Sequence, residues 1–129
     1  GKLAAETGAR LRLKSMQVYD MASAAYWMPS KSRFRRYREM EEGYQIKSRL
    51  PDSCARMWFN PVVTWDGLVV PCCFDKDAGY VMGDLKRNSL REIWNGREYR
   101  EFRKAVLSGR KNLKMCSNCT SGLKKGIVC

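Results

Sequence analysis

Four of the six cysteines, in a chain without histidine, constrain this sequence more than anything else in it. Cys54 and Cys72 bracket a hairpin signal, Thr64-Trp65-Asp66-Gly67-Leu68-Val69, and Cys116 and Cys119 form a Cys-x-x-Cys pair. The spacing is Cys54-x12-Gly67-x4-Cys72, a helical stretch, then Cys116-x2-Cys119. A metal site built here is all-thiolate, or thiolate plus carboxylate. All-thiolate sites select iron–sulfur clusters or zinc over hard ions.

The 129 residues suffice for one modest domain, or a small domain with a tail, and 44% hydrophobic content suffices for a core. A chain of this size buries roughly two-thirds of its unfolded surface, so a bound metal adds useful stability. The formal charge of +12 favours an acidic partner: nucleic acid, a membrane surface or an acidic protein. No apolar run is long enough to span a membrane, and the first residues lack a signal-peptide pattern. Six cysteines without a signal and with a Cys-x-x-Cys read as a reduced, cytoplasmic metal site rather than a secreted disulfide framework. The opening Gly1-Lys2-Leu3-Ala4-Ala5-Glu6 reads as the middle of a longer chain.

Two regions are expected, 1–50 and 51–129. In the first, Leu3 to Thr7 reads as a helix end stopped by Gly8, and Arg10 to Val18 alternates as a strand. A helix end followed by a strand is one step of an α/β unit, and a lone step cannot make a sheet, which again points to a longer parent. Asp20 to Met28 suggests a helical turn ended by Pro29. Lys31 to Arg38 is strongly basic, with Phe34 and Tyr37 interleaved; it reads as a solvated loop or as a surface that stacks bases. Glu39 to Leu50 reads as polar connector.

Signals sharpen from Pro51. Pro61 to Trp65 is β-rich, Asp66-Gly67 is a two-residue hairpin turn, and Leu68 to Phe74 is the return strand. Pro71 cannot donate to a ladder, so that strand lies at an edge or breaks there. Asp75 to Arg87 reads as loop. Ser89-Leu90-Arg91-Glu92 is a capping box that starts a helix. Asn95-Gly96 interrupts it. Arg97 to Ser108 then places Tyr99, Phe102, Val106 and Leu107 on one face, closed by Gly109. The expected fold class is α+β: a β-hairpin followed by helices around a four-cysteine site.

A hairpin brings its ends together, so Cys54 and Cys72 reach its open end. The helix then carries the chain away, and the loop after Gly109 returns Cys116 and Cys119. Zinc ribbons use two similar Cys-x-x-Cys knuckles, whereas one pair here is spread over a hairpin, which favours iron–sulfur over zinc. Cys73 follows Cys72 and should face the other way as a small buried hydrophobe. A Cys72–Cys73 vicinal disulfide in a redox sensor is a third reading. Cys129 is an alternative ligand or part of a frayed tail.

These residues resemble a known family. Cys54-x12-Gly67-x4-Cys72 matches the opening of the SPASM motif, the auxiliary-cluster domain of radical S-adenosylmethionine (SAM) enzymes. Val63-Thr64-Trp65-Asp66-Gly67-Leu68-Val69-Val70-Pro71-Cys72-Cys73 is very similar to that family. So are Met82-Gly83-Asp84-Leu85, Ser89-Leu90-Arg91-Glu92-Ile93-Trp94-Asn95-Gly96 and Cys116-Ser117-Asn118-Cys119. A full SPASM domain carries seven cysteines and two clusters. This chain lacks the extra cysteines soon after Cys119 and resembles the one-cluster form called a twitch domain, and the resemblance implies that residues 1–50 are the end of a partial (β/α) barrel and a basic linker. The resemblance implies one 4Fe–4S cluster on Cys54, Cys72, Cys116 and Cys119, with Cys73 and Cys129 as alternatives. Four ligands satisfy all four irons, which implies electron relay or a structural, substrate-gating role. The SAM-cleaving Cys-x3-Cys-x2-Cys motif is absent, so radical chemistry and SAM belong to a parent enzyme whose substrate is a peptide or small metabolite.

The expected partners are that parent's radical SAM barrel and an acidic electron donor such as a flavodoxin or ferredoxin, steered by Arg35, Arg36 and Arg38. The competing reading is a zinc-bound basic module that binds nucleic acid, although no nucleic-acid fold signature is present. Zinc can also fill a vacant thiolate site in aerobic recombinant material.

Overall fold

The computed structural model describes residues 1–10, 16, 18, 22 and 24–119. Its contacts group residues 1–49 and 50–119 into two units. In the first, helix α1 (Lys2–Thr7) stops at Gly8, whose φ of +67° is left-handed and suits glycine. The strand expected over 10–18 and the start of the helical turn expected at Asp20 lie largely outside the described residues. Helix α2 is Ala24–Trp27. Among the described residues there is no closed barrel.

The basic run is not a solvated loop. Ser32–Phe34 form one 3₁₀ turn, and the chain enters strand β1 (Tyr37–Met40). β1 pairs antiparallel with β2 (Gly43–Ile46), matching Tyr37 with Ile46. The expected polar connector is therefore a hairpin, closed by Glu41-Glu42 and by Gly43 at φ +91°. Tyr37 is 1% exposed; its hydroxyl accepts from Val18 N at 3.0 Å and donates to Val18 O at 3.3 Å.

The second unit starts from helix α3 (Arg56–Phe59) and a small sheet. Strand β3 (Val62–Val63) pairs with β4 (Leu68–Val70), Val62 opposite Val70 and Val63 opposite Val69. The turn holds three residues rather than two. Thr64 N donates to Leu68 O at 2.9 Å and Gly67 N to Thr64 O at 3.0 Å, leaving Trp65-Asp66-Gly67 as the loop. Gly67 at φ +91° supplies the positive dihedral of that longer turn. The Thr64 hydroxyl fixes it further, accepting from Leu68 N and contacting the Asp66 carboxylate.

β4 ends before Pro71, as a residue without an N–H demands. It is nevertheless the central strand. A third strand, β5 (Gly83–Asp84), pairs with it on the far side, Leu68 opposite Asp84 and Val69 opposite Gly83. β5 lies in the segment expected to be loop. Gly83 is required there: a Cβ would stand 2.6 Å from Ile93 Cγ1.

Helix α4 (Leu90–Trp94) begins at the expected capping box. Ser89 N donates to Glu92 Oε2 at 2.7 Å, and Glu92 N donates to Ser89 Oγ at 3.3 Å. After Asn95-Gly96, helix α5 (Arg97–Gly109) buries Tyr99, Phe102, Arg103 and Val106, while Leu107 lies on the exposed side instead of with them. A 3₁₀ turn at Arg110–Asn112 leads into helix α6 (Lys114–Ser117). The core joins Met57, Val69, Met82, Ile93, Tyr99, Phe102, Val106 and Cys116, with Cys54 packed against it. The fold class is α+β. No helix among the described residues is long and apolar enough to cross a membrane.

Candidate metal centre

Three local devices deliver cysteines to one place in the second unit. The first is a long-range tie. Asp52 Oδ1 accepts from Arg110 N at 2.8 Å and Ser53 O accepts from Arg110 Nη1 at 3.1 Å, holding the segment that carries Cys54 against the end of α5. The second is the turn after β4. Asp75 N donates to Cys72 O at 3.1 Å, and the buried Asp75 carboxylate accepts from Gly79 N and Tyr80 N, each at 2.9 Å. The third is α6. Cys116 N donates to Leu113 O at 2.8 Å and Cys119 N to Cys116 O at 3.0 Å, so the Cys-x-x-Cys pair spans one helical turn.

The result is a pocket lined by Cys54, Cys72, Cys116 and Cys119 with Met57, Phe74 and other apolar groups, and by two cationic residues, Arg56 and Arg110. Cys72, Cys116 and Cys119 are buried and Cys54 is half-buried; all four are free thiols. Burial pushes the Cys116 thiol up to about 11, and the nearby Cys119 and Cys72 raise it while Arg110 opposes the rise. Burial also raises Cys72, and Cys73, Cys119 and Cys54 add to the rise. Each of these thiols thus senses the charge of others in the set. Buried thiols such as Cys72 and Cys116, which resist ionising alone, are suited to a cationic centre that compensates their charge.

Cys73 departs from expectation. It is not among the residues that line the pocket, and it is exposed rather than a buried hydrophobe, with Arg56 Nη1 3.9 Å from its sulfur. The strand has ended by then, so the turn at Cys72 and not strand alternation separates the two sulfurs. Cys129 lies outside the described residues.

The donor set fits an iron–sulfur cluster: four cysteines from three segments line one pocket, without histidine or carboxylate among its lining residues. The free space between the side chains is about 20 Å³, the room of one water, so seating a cluster requires the wall to draw back. Met57 and Met115 line it and are the most adaptable of its apolar side chains. Among the described residues, no three of the Cys, Asp and Glu side chains stand close enough together to hold a single metal ion.

The sequence reading did not pick out Arg110, which is 2% exposed. Its place between Gly109 and the Cys-x-x-Cys was the available signal, and its burial is a tertiary property. The basic run differs in the other direction. Arg36 is buried, Arg35 donates to Pro29 O at 2.7 Å, and Arg38 is bound to Gln45. Tyr37 is too buried to stack a base.

A profile of the SPASM family, described as an iron–sulfur cluster-binding domain, matches residues 54–120, just over half of the chain. An S-adenosyl-L-methionine-dependent 2-deoxy-scyllo-inosamine dehydrogenase from Niallia circulans is 33% identical over 61 residues, which are 46% of this chain and 24% of that protein. The chain therefore spans about a quarter of that relative's length. No solved structure matches significantly.

Proposed function

This chain belongs to the SPASM iron–sulfur cluster-binding domain family, and on that premise we propose that it serves a radical SAM enzyme by holding one 4Fe–4S cluster on Cys54, Cys72, Cys116 and Cys119. The observation that carries the assignment is one pocket lined by these four cysteines, and by neither Cys73 nor any carboxylate. Zinc ribbons use two similar Cys-x-x-Cys knuckles, whereas Cys54 and Cys72 are spread over a hairpin, which favours a cluster over a single zinc ion.

When bound, the cluster supplies one-electron redox chemistry. The chain's own residues bind and shield it. Cys54, Cys72, Cys116 and Cys119 give up their protons to become its ligands. Pro71, Phe74, Phe102 and Val106 exclude water, and Arg110 sets a positive charge against the thiolates. Four protein ligands leave no iron open, so the role is electron relay or a structural one at the edge of the parent's substrate site. SAM cleavage and substrate, a peptide or small metabolite, belong to the parent enzyme, and an acidic flavodoxin or ferredoxin is the proposed electron source.

Anaerobic reconstitution tests this reading. The expected product is brown, with four irons and four sulfides per chain, about the stoichiometry of one cubane. A colourless protein that retains stoichiometric zinc after the same treatment would replace the cluster with a zinc site.

A further inference from the structure

Arg110 is among the most deeply buried side chains in the molecule, at 2% exposed, yet among the described residues no carboxylate pairs with its guanidinium. Nη1 donates to the Ser53 carbonyl. The neighbouring carboxylate, Asp52, is occupied by the backbone N–H of Arg110 and not by its side chain. Nε has no hydrogen-bond partner among the described residues. A buried cation without a counter-charge is costly and persists where something repays it. Arg110 lines the pocket together with Cys54, Cys72, Cys116 and Cys119.

We propose that Arg110 tunes the cluster: its fixed positive charge, buried in the wall of the four-cysteine pocket, stabilises the reduced cluster and so raises its reduction potential. This rests on the cluster reading above. The sign follows from charge. Reduction adds one electron to a centre that is already anionic with its thiolates, and a nearby cation favours the more negative state. Net charge, hydrogen bonds to sulfur and solvent exposure are the recognised levers on such potentials. The pocket excludes solvent, so the charge acts with little screening.

The test is a redox titration of the reconstituted full chain, read by EPR, with iron and sulfide analysis on each sample. Arg110→Gln and Arg110→Met remove the charge, the second without introducing an amide that needs partners. Arg110→Lys keeps the charge and loses the planar fork. At a fixed ambient potential, the neutral variants are expected to hold at least tenfold less reduced cluster relative to oxidised, about 59 mV for a one-electron couple. Arg110→Lys should stay within about threefold of wild type, roughly half of that displacement or less. Neutral variants with full iron and a wild-type midpoint overturn the proposal and leave the cluster reading standing. A wild-type chain that takes up no iron and sulfide overturns the cluster reading itself. If neither neutral variant folds, the lysine variant decides. A wild-type midpoint there supports a role of charge, and a tenfold displacement refutes it in favour of geometry.

Discussion

At the scale of single residues, the second unit separates cysteines that line the pocket from one that does not. On the proposed reading each of Cys54, Cys72, Cys116 and Cys119 supplies one of four ligands, so serine in place of any of them should remove most of the iron from the reconstituted chain, and metal binding is coupled to folding. Cys73→Ser should keep full iron. It should also cost little stability, since Cys73 is exposed. Equal iron loss in Cys72→Ser and Cys73→Ser would reverse the choice of ligand. A second residue matters without touching metal. The Asp75 carboxylate holds the turn after Cys72 through Gly79 N and Tyr80 N. Asp75→Ala leaves both donors unpaired and should destabilise the metal-free fold by about 1–3 kcal/mol, measured by urea unfolding. A stability equal to wild type would mean that water replaces the carboxylate in that turn. The thiols were legible in the sequence because residue type and local spacing carry their chemistry. Arg110 and Asp75 were not, because their importance comes from burial and from the partners that the fold brings to them.

At the scale of elements, the legible pieces are those whose signals are local. Gly8 stops α1, Ser89 and Glu92 cap α4, and Asn95-Gly96 divides α4 from α5, all within a few residues of sequence. β5 was missed because Gly83-Asp84 has no β-rich composition and is a strand only by pairing with β4. The hairpin of β1 and β2 was missed because Glu41-Glu42 is not a favoured turn dipeptide, and Gly43 was its sole cue. Packing of β5 on α4 makes a test. Gly83→Ala drives a methyl into Ile93 and should cost about 1–3 kcal/mol as overpacking. Gly83→Ala together with Ile93→Val should recover part of that loss, and no recovery would show that the contact is not the cause. The capping box gives a pH dependence. Hydrogen bonds from Ser89 hold the Glu92 carboxyl below its ordinary 4.5. A lowered folded value means that this contribution is present above 4.5 and is lost as pH falls through the folded value. Unfolding midpoints of wild type and Glu92→Gln, apart at neutral pH, should therefore converge in acid. A constant gap down to the lowest measurable pH would show that the carboxylate charge plays no part in the cap.

At the scale of the whole molecule, the unexplained quantity is charge. The chain carries +12, and a 4Fe–4S core with four thiolates contributes about −2, leaving about +10 when loaded. Such an excess speeds encounter with an acidic donor more than it tightens the complex. Arg35, Arg36 and Arg38 are the densest run of cations in the sequence. Arg36 is buried, Arg38 is engaged by Gln45, and Arg35 is bound to Pro29 and lies 4.0 Å from Glu39. The second unit offers another set. Arg97, Arg100, which donates to Asn95 O at 2.8 Å, and Lys104 recur at helical spacing and are exposed along α5, whose Tyr99, Phe102 and Val106 are buried in the core that contains Cys116. If charge steers a donor towards the cluster, these three should carry more of the effect. The measurement is the rate of electron transfer from a reduced acidic flavodoxin to the cluster-loaded chain, over a range of salt. Screening acts over roughly 10 Å at 0.1 M, so a steered rate should fall clearly as salt rises. Glutamine at Arg97, Arg100 and Lys104 together should flatten that dependence, and glutamine at Arg35 and Arg38 should leave most of it. Equal salt slopes in wild type and the α5 triple variant would remove this helix from any part in donor encounter.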